Sequence, residues 1–70
     1  MSNYAERIKQ ETERLKPLWP KGIRVFWDHF GHKRYGSTMD VDGCFIRVKP
    51  DDNPNDPIWL DYRKLEKVSA

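Results

Sequence analysis

Only one cysteine, Cys44, occurs in the chain, so no intramolecular disulfide can form, and a zinc site built from several thiolates is excluded. A reducing, cytoplasmic setting is expected. No apolar run approaches the roughly 18 residues of a membrane span, and charged side chains stand where a secretory signal would be apolar. Neither a span nor a signal is therefore expected. Excess charge of one sign is also lacking: 13 Lys+Arg oppose 11 Asp+Glu, a formal net charge of +2 that does not by itself announce a polyanion-binding protein. No G-x-S-x-G, phosphate-binding loop or dinucleotide fingerprint occurs, so a non-enzymatic chain with no catalytic residues and no cofactor is expected.

What is present fits one domain over 1–70. A chain of 70 residues buries only about 60% of the surface its unfolded form exposes, so each large apolar side chain counts. Three tryptophans, three tyrosines and three phenylalanines supply the bulk. Charge is unevenly spread: Asp51, Asp52 and Asp56 concentrate acid in 50–57, while the segments before it are mildly basic.

Asn3 and Glu6 have capping-box spacing, and no Gly or Pro interrupts the run to Lys16, which predicts a helix over 3–16. Tyr4, Ile8, Leu15 and Leu18 form its apolar stripe, and Pro17 and Pro20 end it. From Gly22 the period changes to two, with Ile23, Val25 and Trp27 alternating against Arg24, Phe26 and Asp28. A loop is expected from His29 to Tyr35. Ser37, Met39 and Val41 then alternate with Thr38, Asp40 and Asp42, and Asp42-Gly43 signals a tight hairpin. Cys44, Ile46 and Val48 return on one face, with Phe45, Arg47 and Lys49 on the other. Residues 50–57, rich in Pro, Asp and Asn, read as loop. Ile58-Trp59-Leu60 reads as a strand, Asp61 to Lys64 as one helical turn, and Leu65 to Val68 as a last strand. Curling five such strands over 22–68 removes most exposed edges, so a five-stranded small barrel behind an N-terminal helix is expected, a mainly β (α+β) chain.

This succession resembles the SH3-like small barrels, a superfold that includes Tudor, KOW, Sm-like and integrase C-terminal domains. Within it, Gly31-His32-Lys33-Arg34-Tyr35-Gly36, followed by Val41-Asp42 and Ile46-Arg47-Val48-Lys49, is similar to the Sm-like (Hfq-type) pattern. The resemblance implies an RNA-binding barrel with Lys33 and Lys49 at shared basic positions. The fourth strand reads Leu60-Asp61-Tyr62-Arg63 in place of the family's tyrosine-lysine-histidine motif, so ring formation and base readout are not carried over.

Strand parity sets Phe26, Phe45 and Trp59 opposite the core residues, interleaved with Arg24, Arg47 and Lys49. Bases of single-stranded nucleic acid stack on such rings while cations track the phosphates. The expected nucleic-acid-binding set is Arg24, Lys33, Arg34, Tyr35, Phe45, Arg47, Lys49 and Trp59, with RNA or single-stranded DNA as ligand. The same aromatics could instead receive the apolar stripe of the helix. A protein partner, the chain acting as a small regulatory or accessory subunit, is the alternative. His29-x-x-His32 beside Asp28 lacks the further ligands of a structural metal site, and the Asp51, Asn53, Asn55 alternation departs from a calcium loop at its glycine and glutamate positions. No metal is expected.

Overall fold

The computed structural model describes residues 4–68; Asn3, and with it the capping-box reading, lies outside the described residues. An α-helix, α1, spans Tyr4–Leu15. Five strands follow: β1 (Arg24–His29), β2 (His32–Asp42), β3 (Phe45–Pro50), β4 (Ile58–Asp61) and β5 (Glu66–Lys67). A 3-10 turn at Tyr62–Lys64 separates the last two, capped by the Asp61 carboxylate, which accepts from the Arg63 amide at 2.9 Å.

All five strands form one antiparallel sheet in the order β4-β3-β2-β1-β5. Among the described residues the sheet does not close into the expected barrel. β4 and β5 are both edges of the sheet among these residues: β5 is two residues long and pairs with Val25 and Phe26 of β1, and no pairing joins it to β4. The chain is thus a mainly β, small α+β fold. Val25, Trp27, Ile46, Val48 and Leu65 make its buried centre, with Trp19, Ile23, Val41, Ile58, Leu60 and Tyr62 packed around it. Burying each such aliphatic side chain contributes about 1.5–3 kcal/mol.

Two stretches of β2 depart from the sequence reading. The loop expected from His29 to Tyr35 is a two-residue turn, Phe30-Gly31, and β2 already begins at His32. Phe30 (φ 50°) and Gly31 (φ 84°) supply the pair of left-handed residues such a turn needs. A phenylalanine is a poor turn former, so this signal was hidden. Further on, Thr38 is the buried residue, while Ser37 and Met39 are only half-buried. Thr38 pairs with Val48 and Val41 with Ile46, and the register shift between them adds a residue that reverses parity. The second hairpin turns at Gly43-Cys44, one position later than expected, and β3 keeps the expected alternation.

Thr38 also ties the connector from α1 to the sheet. Its hydroxyl donates to the Pro20 carbonyl at 2.6 Å and accepts from the Ile23 amide at 3.1 Å. At the other end of β2, the Gly43 amide donates to the Thr12 hydroxyl, and the Gly43 Cα faces Ile8. The helix therefore docks on the β2–β3 turn, with Leu15 buried and Arg14 5.9 Å from the Tyr62 ring centre. Tyr4 and Leu18, expected on its buried stripe, are exposed.

Candidate functional site

Cross-strand register defines one outer face. Arg24 is opposite Ser37, which is opposite Lys49; Phe26 is opposite Tyr35; Asp28 is opposite Lys33; Arg47 is opposite Trp59; Asp42 and Asp61 both flank Phe45. Seven of the eight sequence-predicted residues thus share a side, namely Arg24, Lys33, Tyr35, Phe45, Arg47, Lys49 and Trp59. Because the helix docks at the Gly43 turn, these aromatics stay open: Phe45 is 48% and Trp59 47% exposed. Together with Asp42 they line a shallow cleft of about 310 Å³.

A second aromatic group occupies the other end of the face. The rings of Phe26 and Tyr35 meet at 5.8 Å with a 41° tilt, and the Lys33 ammonium sits 4.9 Å from the Phe26 ring centre. That distance suits a cation–π contact. Between the two aromatic groups runs the row Arg24, Ser37, Lys49.

Arg34 departs from the set. It pairs with Trp27, on the opposite side of β2 from Lys33 and Tyr35, and its guanidinium carbon lies 5.5 Å from the Trp27 ring centre. Once His32–Tyr35 is strand rather than loop, alternation forces this placement. The Nε of Arg34 and the Nε1 of Trp27 are both buried without a hydrogen-bond partner among the described residues.

The acidic loop engages two of the predicted cations. The Asp51 amide donates to the Tyr35 carbonyl at 2.9 Å, fixing the loop alongside β2. Asp51 then accepts a two-pronged contact from Arg24, one prong at 2.8 Å, while Arg24 also donates to the Ser37 hydroxyl at 3.1 Å. Asp52 accepts from Arg34 at 2.9 Å. Successive carboxylates thus reach opposite faces of the sheet, one at β1 and one at β2. Each is held below the usual carboxylate range by its arginine, and the Arg24 guanidinium is raised in turn. Arg47 has a looser partner, Asp40 at 3.6 Å. Among the described residues Lys33 and Lys49 form no ion pair. The sequence showed the acidic run but not its partners, because no local spacing links positions 24 and 51.

Elsewhere, Pro17, Leu18, Pro20, Ile23, Arg24, Lys67 and Val68 line a groove of about 520 Å³ beside β5. His29 and His32 face each other across the first turn, and among the described residues no group of three or more His, Cys, Asp or Glu is placed to hold a metal ion. No helix among the described residues is long and apolar enough to cross a membrane. Comparison with known proteins finds no matching family model, and no curated protein or solved structure that matches the chain.

Proposed function

We propose that this chain is a non-enzymatic nucleic-acid-binding module whose ligand, RNA or single-stranded DNA, lies along the outer face of β2. The observation that carries this reading is the alternation, on one face the helix leaves uncovered, of an aromatic group (Phe26, Tyr35), a cationic row (Arg24, Lys49) and a second aromatic group (Phe45, Trp59). β2 has 11 residues, and at about 3.3 Å per residue it spans roughly 35 Å, a track several nucleotides long. Bases stack on Phe45 and Trp59 at one end and on Tyr35 at the other, each worth about 1–3 kcal/mol. Phosphates meet Lys33, Lys49 and Arg47. Arg24 contributes only when it leaves Asp51.

Fluorescence anisotropy of a labelled single-stranded oligonucleotide over a salt series tests the reading. Saturable binding is expected at low salt, weakening with a log–log slope of about −2, as three phosphates at about 0.7 each require on a single strand. Absence of saturable binding, or an affinity indifferent to salt, would remove it. The second reading, a protein-interaction module serving as a small regulatory or accessory subunit, is favoured by the apolar groove beside β5, where Leu18 is half exposed. A protein retained from lysate after nuclease treatment, with no oligonucleotide binding, supports that reading instead.

A further inference from the structure

Phe30 occupies the first position of the turn between β1 and β2 with φ 50°, and among the described residues it is the one non-glycine with a positive φ. Glycine or asparagine adopts this conformation with little steric penalty; a phenylalanine does not. Its ring is also 88% exposed, the most exposed large apolar side chain described. It touches the His29 ring edge-on, centres 4.7 Å apart, and adds nothing to the hydrophobic centre. A strained backbone and a solvated aromatic ring therefore coincide at one residue, with only the edge contact to His29 set against them. Such coincidences mark functional positions.

The surroundings say what the ring could receive. Among the described residues β3 pairs with β2 only from Gly36 onward, and β5 pairs with β1 only at Val25 and Phe26. The exposed tip of the β1–β2 hairpin, Asp28 to Lys33, thus extends past the neighbouring paired strands. It continues the aromatic track of Phe26 and Tyr35, and Lys33, three positions from the tip, offers a cation without an ion-pair partner among the described residues.

We infer that Phe30 is a ligand-binding side chain: its ring stacks on a nucleobase at the end of the β2 track, and the hairpin carries it there at a cost to stability. This rests on the nucleic-acid reading of the outer face and extends its footprint to the tip.

Phe30→Asn separates binding from stability, because the two should move in opposite directions. The variant should unfold at higher urea than the parent, since asparagine suits the turn. It should also bind a labelled single-stranded oligonucleotide roughly 5- to 150-fold more weakly, the worth of one lost base stack. Phe30→Trp should retain the affinity. Unchanged oligonucleotide affinity in Phe30→Asn, while Phe45→Ala and Trp59→Ala lose theirs, overturns the inference alone and leaves the tip to a protein partner. Lower stability in Phe30→Asn overturns it too, by removing the strain. Failure of the parent chain to bind any oligonucleotide overturns both readings.

Discussion

Thr12 and Gly43 are 31 positions apart in sequence, yet the Gly43 amide donates a 2.6 Å hydrogen bond to the Thr12 hydroxyl, which itself donates to the Ile8 carbonyl at 2.8 Å. This clasp decides where the helix sits. It fastens α1 to the β2–β3 turn, and so the helix does not cover Phe26, Phe45 and Trp59. Thr12→Ala leaves the buried Gly43 amide without an acceptor and should cost about 1–3 kcal/mol, whereas Thr12→Ser should cost little. Gly43→Ala should be as damaging, because φ is 63° there and a new Cβ would lie 3.3 Å from the Ile8 Cδ1. Urea unfolding followed by tryptophan fluorescence measures all three.

Gly36 is opposite Pro50 in the pairing of β2 with β3. A Cβ at this position would stand 2.6 Å from the Lys49 carbonyl oxygen and 2.8 Å from the Val48 Cγ1. Because the first of these is backbone, a rotamer change cannot relieve the clash. Gly36→Ala should cost about 1–3 kcal/mol, read as a lower urea midpoint, and a midpoint equal to that of the parent would contradict the register described.

How far the sequence could be read follows from what each signal depends on. Alternation in 23–28 and 45–49 is local, so the inward Val25, Trp27, Ile46 and Val48 and the outward Phe45, Arg47 and Lys49 were all legible. Parity through β2 was not, since a bulge adds a residue without any compositional mark and Phe30 disguises a tight turn. Those two features moved Thr38 inward and put Arg34 over Trp27. Whether the sheet closes, and which cations the acidic loop engages, depend on contacts between distant segments. No spacing rule reports such contacts.

Acid should weaken the fold in a defined window. The Asp61 carboxyl is held down at about 2 by hydrogen bonds from the Arg63 side chain and amide, and Asp51, Asp52 and Glu11 are lowered by Arg24, Arg34 and Arg14. A carboxyl whose folded pKa lies below its unfolded value, near 4, contributes stability that is fully present above the unfolded value and is lost as pH falls through the folded one. Urea midpoints should therefore hold steady from pH 7 to about 5 and fall progressively between about pH 4 and 2. Asp61→Asn should flatten the lower part of that fall. An unchanged profile in this variant would show that the cap on the 3-10 turn contributes nothing to acid sensitivity.

The Arg24–Asp51 and Arg34–Asp52 pairs place carboxylates on two of the arginines that the sequence alone assigns to nucleic-acid binding. A nucleic acid must displace these carboxylates or bind without those arginines, and salt dependence tells which. On a single strand each additional phosphate contact steepens the log–log slope by about 0.7. If the loop masks the face, the Asp51→Asn, Asp52→Asn double variant should bind single-stranded oligonucleotide more tightly at low salt. Its slope should be steeper by about 0.7 when Arg24 alone joins, and by about 1.4 when Arg34 leaves Trp27 to join as well. Arg24 shares the outer face with Lys49, whereas Arg34 is on the other side of β2, so the smaller change is the expected one. Adding Arg24→Gln to the double variant should then restore the parental slope. A double variant with the parental slope and a lower urea midpoint would mean that the loop serves only to brace the sheet.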